Sequence, residues 1–347
     1  MAEPVERKLA WVTRVDKVSP ILGADRVELA TLPGGGWNVV VLKDQIRAGE
    51  LMVYVAIDSV LPESEEAFAF LEGKRVKTKE YGFKDPEGNR YPPIYSQGVL
   101  FPLEVVRAYG LKPEECVEDQ NLTSVLPVTK YVFEGEEYSG ILLPASVRKT
   151  GENRVQECYA ILRSLVGKKV VITLKLHGTS TSYVAEKGEY KVCGHRVVLE
   201  ESDPNSKFYY EVSKKHKLEE KVLALGENVA VQGELCGPKI NKNTLKLKER
   251  EIFSFYHWLI DEQRKDTYDG FLARCAKLEI PTAPLVYRGI FKEEWADAKV
   301  LLDWASTLNY PCGAPAEGMV VMTDNQPGEP HHSFKVISNK FLAKVKA

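Results

Sequence analysis

The sequence predicts an α+β protein, a small β-barrel followed by a larger mixed domain. Three observations predict it. Short apolar runs divided by turn formers fill the first 125 or so residues; helical spacing enters only after residue 150; strand-like and helix-like segments then alternate to the end. The expected boundaries are a β-rich domain at 1–125, a connector of little periodicity at 126–152, and a mixed domain at 153–347.

The apolar runs of the first domain are LAWVTRV, RVELATL, WNVVVL, LMVYVAI and GVLFPL. Turn formers stand between them, at Pro33-Gly34-Gly35-Gly36, Ala48-Gly49-Glu50 and Asp85-Pro86-Glu87-Gly88-Asn89. Five strands of this length suit a small barrel such as an OB-fold. Gly34–Gly36 has no following Gly-Lys-Ser/Thr and no helix, so a hairpin loop is expected there rather than a phosphate loop.

In the second domain RVQECYAIL, within 153–165, has helical spacing and leads to a turn at Gly167. Strands are expected at 169–175, 181–186, 190–198, 229–235, 252–260 and 317–323. One helix is expected over 208–226, with Tyr210, Val212, Leu218, Val222 and Leu225 inward and Gly226 as C-cap; another is expected over 292–307.

Composition limits what the chain can be. Apolar residues make up 44% and charged residues 28% of 347, as in a soluble globular protein and unlike a disordered one. No 18-residue apolar stretch is present, so no spanning helix is expected. MAEPVERKLAWV carries charges where a signal peptide needs an apolar run, so an intracellular, non-secreted protein is expected. Six dispersed cysteines without a Cys-x-x-Cys pair argue against a disulfide framework or a structural zinc site. The formal net charge is −2, with 16 basic and 20 acidic residues in 1–130 against 31 and 29 in the remainder. A nucleic-acid ligand would therefore be held by a local patch rather than by a global field. Lys74, Arg75, Lys77, Lys79 and Lys84 are candidate phosphate contacts, with a solvated charged loop as the competing reading.

The most informative segment is KKVVITLKLHGTS, at 168–180. Alternation puts Val170, Ile172 and Leu174 on one face and Val171, Thr173 and Lys175 on the other. A lysine ending such a strand, before His-Gly-Thr-Ser, stands at a turn where amides and hydroxyls can surround an anion. To act as a nucleophile it must be neutral, which requires burial or neighbouring cations to lower a pKa of about 10.4.

KLHGTS resembles the nucleotidyl-acceptor motif of the covalent nucleotidyltransferases, and further segments resemble the family's other motifs in the expected order. VCGHR ends at Arg196; GELCGPKINKN, at 233–243, carries Glu234; FYHWLID, at 255–261, carries Phe255 and Trp258; AEGMVVM, at 316–322, carries Glu317; SFKVISNKFL, at 333–342, carries Lys335. GELCGPKINKN is most similar to RNA ligases related to T4 RNA ligase 2. The front module and the connector LPASVRKTGENRVQ, at 143–156, resemble the Deinococcus- and Naegleria-type RNA ligases, which carry an N-terminal OB domain. The chain ends soon after the lysine motif, an arrangement unlike DNA ligases and capping enzymes with a C-terminal OB domain.

The resemblance implies an ATP-dependent RNA ligase, with ATP and Mg²⁺ or Mn²⁺ required. Its partner would be RNA with 3′-OH and 5′-phosphate ends, as in a nicked duplex, and a monomer free of membrane is expected. Lys175 would accept AMP, and Arg154 and Lys335 would meet phosphate, as would Arg196. Glu234 would bind the ribose and Glu317 a hydrated metal ion. Trp258 or Phe255 would stack on adenine, and His177 and Gly178 complete the nucleotide site. Cations near Lys175 would favour its neutral form. Two departures stand out: Leu174 occupies a position where relatives often have glutamate, and Ile337 replaces the second lysine of the last motif. Lys340 is the next lysine and, on a continued strand, would point to the opposite face from Lys335. The alternatives are a DNA-joining or capping-type enzyme, or a nucleic-acid-binding relative without catalysis.

Overall fold

The computed structural model describes residues 7–131, 141–144, 147, 152–255, 259–260, 267–324 and 331–345. The chain divides into two compact units. The first comprises Met1–Glu134, Asp297–Lys299 and Asn339–Ala347; the second comprises Gly135–Ala296 and Val300–Ser338.

The first unit is built from β1 (Ala10–Arg14), β2 (Lys17–Pro20), β3 (Val27–Thr31), β4 (Asn38–Leu42), β5 (Leu51–Val55), β6 (Ser59–Val60), β7 (Thr78–Tyr81), β8 (Ile94–Gln97), β9 (Val99–Pro102) and β10 (Thr129–Lys130). All five apolar runs are strands. They join two three-stranded antiparallel sheets, β1-β5-β9 and β2-β3-β4, beside the pairs β7-β8 and β6-β10. Strand β5 is central to its sheet, and Met52, Val53, Tyr54 and Val55 are all buried. The Tyr54 hydroxyl is satisfied there by donating to the Gln97 carbonyl at 2.9 Å. Gly34–Gly36 forms the β3-β4 hairpin loop, closed by the Leu32 amide donating to the Trp37 carbonyl at 2.9 Å.

One basic residue of this unit is not available to phosphate. The Arg75 side chain is 7% exposed and its Nε donates to Asp58 Oδ1 at 3.0 Å, with Arg7 on the other oxygen. It is a buried strut whose charge is already matched. Lys74 is paired with Glu72, whereas Lys77, Lys79 and Lys84 are exposed.

The second unit contains β11 (Asn153–Arg154), β12 (Lys169–Lys175), β13 (Thr179–Glu186), β14 (Glu189–Cys193), β15 (Val229–Cys236), β16 (Glu251–Ser254), β17 (Leu259–Ile260), β18 (Leu285–Ile290), β19 (Gly318–Thr323) and β20 (Ser333–Ile337). The helices of the chain are α1 (Tyr159–Leu165), α2 (Lys207–His216), α3 (Leu218–Leu223), α4 (Tyr268–Leu278), α5 (Ala298–Ala305) and α6 (Asn339–Val345). One sheet has the order β11-β20-β19-β12-β18, antiparallel except for the β11-β20 edge. The other is β14-β13-β15-β16, with β17 also on β15. Their inner faces share one core. Val171 and Met322 of the first sheet pack with Tyr183, Val231 and Leu235 of the second and with Val212, Leu218 and Phe271 from the helices.

Four expected boundaries differ. The helix expected over 208–226 is two helices, broken at Lys217 with φ of 52°. At 3.6 residues per turn, a continuous helix would put Leu218 about 120° around from Val212; the break lets both reach the core. Helix α3 closes at Ala224, so Gly226 lies beyond the cap. The strand expected over 190–198 ends at Cys193 in a turn closed by the Gly194 amide on the Val197 carbonyl. The helix expected over 292–307 is a 3₁₀ turn, Glu293–Ala296, followed by α5; Asp297 separates them, its carboxylate accepting from the Lys299 amide at 2.8 Å. The strand expected over 252–260 is described as β16 and β17 only.

Candidate active site

Strand β12 delivers Lys175 to one end of the shared core. In the sheet, paired residues point to the same side. The register puts Thr173 opposite Val320, Val320 opposite Lys335 and Lys335 opposite Arg154, while Lys175 opposes Gly318. Thr173, Val320, Lys335 and Arg154 therefore form a row on one face, and Lys175 follows two residues along on the same face. This is also the face of Val171 and Met322, which pack against the second sheet. The apolar interior thus gives way, at its end, to three cations.

Two carboxylates meet them. Glu317 directly precedes β19, its side chain 9% exposed, and lies 3.0 Å from Lys175 Nζ and 3.3 Å from His177 Nδ1. Glu234, on β15 of the second sheet, accepts from the Gly178 amide at 3.0 Å. Close approach explains the two glycines beside these groups. A Cβ on Gly178 would lie 2.3 Å from the Leu235 carbonyl oxygen, and one on Gly318, where φ is +153°, would lie 2.0 Å from that of Val336.

A residue that the sequence motifs do not single out binds the halves of this cluster. The buried Tyr310 hydroxyl donates to the Lys175 carbonyl at 2.9 Å and accepts from the Glu317 amide at 3.1 Å. Its turn is closed by the Tyr310 amide on the Ala314 carbonyl at 2.8 Å. The only sequence signal is a Tyr-Pro-Cys-Gly turn seven residues before Glu317.

Burial and charge pull against each other here. Burial alone would raise the Glu317 carboxyl, but the Lys175 ammonium and His177 outweigh it and hold the pKa down to about 2. Glu234 is pushed up to about 7 by burial, with Lys175 opposing and Glu317 adding to the rise. For Lys175 burial opposes the charge, yet Glu317 and Glu234 together win and hold the ammonium above the ordinary lysine value; Arg154 acts the other way. The expectation that cations keep Lys175 neutral is therefore reversed by its two carboxylate neighbours. The two carboxylates weigh more in the balance than Arg154 does.

The remaining expected residues fall in different places. Arg154 is buried and Lys335 half-buried on the row just described. Arg196 is exposed on the turn after β14, with β13 between that strand and the one bearing Glu234. Phe255 follows β16 and packs half-buried against the apolar group of Leu174, Leu176, Cys236 and Tyr310. Leu174 is thus core rather than a polar contact. Trp258 lies outside the described residues. Lys340 is exposed on helix α6, not on a continued strand, because β20 ends at Ile337.

Oxygen donors at Glu317 and Glu234 suit a hard divalent cation. Among the described residues no group of three or more His, Cys, Asp or Glu is placed to hold a metal ion by itself. An ion at this site would have to complete its shell with water and with oxygens of a bound phosphate.

The chain is similar to known proteins over nearly its whole length. Residues 168–337 match the RNA ligase family model, and residues 9–103 match an OB-fold domain model. No curated relative matches the chain. Among solved structures, the chain is similar to Naegleria gruberi RNA ligase with pyrophosphate, at 25% identity and a TM-score of 0.79 over 98% of this chain and 99% of that one. It is similar to a lysine-to-alanine mutant of that enzyme with ATP and Mn, at 25% identity and a TM-score of 0.76 over 98% of each chain. A glutamate-to-alanine mutant with AMP and Mn matches at 24% identity and a TM-score of 0.81 over 97% and 99%. By these matches the chain resembles an RNA ligase domain over residues 168–337, preceded by an OB-fold domain over residues 9–103.

Proposed function

We propose that the protein is an ATP-dependent RNA ligase that joins a 3′-OH to a 5′-phosphate through a lysyl-AMP intermediate. The observation that carries the reading is the cluster of Lys175, Glu317, His177 and Glu234 at the meeting of two sheets, with Arg154 and Lys335 on the same face. Solved relatives hold ATP with Mn, AMP with Mn, or pyrophosphate, which supports a nucleotide at the corresponding place.

In the first step the Lys175 amine attacks the α-phosphorus of ATP. A P–N bond forms, the bond to the bridging oxygen breaks, and pyrophosphate leaves. Arg154 and Lys335 stabilise charge on the phosphate oxygens, so catalysis is chiefly positioning and electrostatics. Glu234 accepts from the ribose hydroxyls, and Phe255 or Trp258 stacks on adenine. His177 orients Glu317, Gly178 lets the backbone approach the nucleotide, and Arg196 meets phosphate of the nucleic acid. In the second step the 5′-phosphate oxygen takes AMP from Lys175. In the third, the 3′-OH attacks that phosphorus, a phosphodiester forms and AMP leaves.

Lys175 must first lose a proton. With Glu234 engaged by ribose, its pull on the ammonium would weaken while burial and Arg154 continue to disfavour the charge, and the proton would leave to solvent. A bound Mg²⁺ or Mn²⁺, held by Glu317 through water, would supply charge neutralisation at the α-phosphate.

The proposed division of labour is an OB module at 1–125 that holds nucleic acid, a connector at 126–152, and the nucleotidyl-transfer domain at 153–347. The proposed setting is repair of nicked RNA by an intracellular monomer. Incubation with α-labelled ATP or GTP and Mg²⁺ or Mn²⁺, followed by a denaturing gel, tests the chemistry. An acid-labile label from ATP, absent in Lys175→Ala, is expected. Label from GTP alone would move the protein to capping chemistry, and an undiminished label in Lys175→Ala would remove that residue as nucleophile.

A further inference from the structure

Between β15 and β16 the chain runs GPKINKNTLKLKER, from Gly237 to Arg250. Five residues with side chains adopt left-handed backbone here: Lys239 (φ 65°), Asn241 (41°), Lys242 (59°), Asn243 (46°) and Lys246 (52°). Such a conformation is uncommon outside glycine, and persists only where the surroundings over-determine it. They do so here. Ile240 and Leu245 are buried beneath the loop. Asn243 closes it twice, donating from Nδ2 to the Leu247 carbonyl at 2.9 Å and accepting from the Leu247 amide at 3.1 Å. The Thr244 hydroxyl donates to the Asn241 carbonyl at 3.2 Å, and the Asn241 side-chain amide donates to the Gly178 carbonyl. The loop is thereby moored to the residue that donates to Glu234.

This backbone turns Lys239, Lys242, Lys246 and Lys248 outward. All four are exposed, and none makes a side-chain hydrogen bond or ion pair among the described residues. The nearby acids are occupied elsewhere. Glu249 pairs with Lys215 at 3.2 Å, Glu251 with Lys215 at 3.1 Å and also with His216, and Glu211 with Arg250. Exposed lysines are ordinarily just solvated. Four unmatched ones on a strained, multiply anchored loop beside the active cluster are a different matter, because solvation alone does not require the strain.

We infer that this loop is a phosphate rail for the nucleic-acid strand whose end is being joined. An extended polyanion suits it better than the triphosphate does. The buried or half-buried cations Arg154 and Lys335 face the interior row, whereas the loop lysines are spread along an exposed segment on flexible stems. The inference rests on the reading that the protein acts on nucleic-acid ends.

The test is binding of a nicked RNA duplex with 3′-OH and 5′-phosphate ends to the full chain over a range of salt concentrations. Lys239→Gln/Lys242→Gln, Lys246→Gln/Lys248→Gln and the quadruple variant are compared with Lys187→Gln/Lys277→Gln, two exposed lysines elsewhere in the same unit. For every lysine that meets a phosphate, its replacement should lower the slope of log K against log salt by about 0.9, and affinity by about eightfold at 0.1 M salt. Adenylylation from ATP and the thermal midpoint should stay at wild-type values. A quadruple variant that binds duplex with wild-type affinity and slope would overturn the inference. So would an equal loss of adenylylation, which would assign the lysines to the nucleotide. Wild-type protein that takes no label from ATP would instead sink the ligase reading itself, so the two failures are separable.

Discussion

Glu234 and Glu317 carry the same functional group in one cluster and are driven in opposite directions. Glu317 has Lys175 and His177 against it and stays ionised; for Glu234, burial outweighs the Lys175 charge and the one backbone amide, with Glu317 adding to the rise, and brings its pKa to about 7. The sign follows for stability. A carboxyl raised from 4.5 to about 7 on folding contributes stability below pH 4.5 that is lost as pH rises through 7, on the order of 3 kcal/mol. Glu234→Gln keeps the acceptor for Gly178 but removes the charge. The variant should therefore gain thermal stability over wild type between pH 5 and pH 8 while losing nucleotide affinity; equal pH profiles of the melting midpoint would show that the burial of Glu234 carries no such penalty. Tyr310 works through its neighbours. Tyr310→Phe leaves the Lys175 carbonyl and the Glu317 amide without their shared partner, at about 1–3 kcal/mol. In single-turnover adenylylation the expected result is a lower maximal rate with half-saturation by ATP unchanged; a raised half-saturation at full rate would mean that Tyr310 shapes the nucleotide pocket instead.

At the scale of elements, the site depends on how closely two strand ends approach. Gly318 opposes both Lys175 on β12 and Ile337 on β20, so it sits where the central strand carries Glu317 to its position. A methyl group there meets the Val336 carbonyl oxygen, which belongs to backbone and cannot swing away. Gly318→Ala should cost about 3 kcal/mol in urea unfolding and displace Glu317 from Lys175. Wild-type stability in that variant would mean that β19 and β20 separate freely at this end. The same dependence on neighbours explains which boundaries were legible. Strands β12, β13, β15 and β19 stood out because alternating or continuous apolar runs are a local property. The break at Lys217 did not, because it is dictated by the need to bring Val212 and Leu218 to one core.

For the whole molecule, net charge says little, since −2 does not distinguish cations that the fold has already paired from those it leaves exposed. Arg75 looks, in sequence, like part of a basic run, and in the fold it is a buried partner of Asp58. Lys239, Lys242, Lys246 and Lys248 look like ordinary surface residues, and in the fold they share one strained loop beside Gly178. Short windows of residues, and the order in which they follow one another, were enough for the two-part architecture, for the apolar strands at its centre and for the motifs around Lys175, Glu234, Glu317 and Lys335, but not for β11, β18 and β20, which complete the sheet that carries Lys175. Folding had to supply the rest: that Arg154 and Lys335 share a row, that Tyr310 bridges across 135 residues to Lys175, and that Glu317 and Glu234 together favour the charged form of Lys175. Each of those depends on distances between residues far apart in the chain and on the dielectric that burial creates around them, neither of which any local pattern contains.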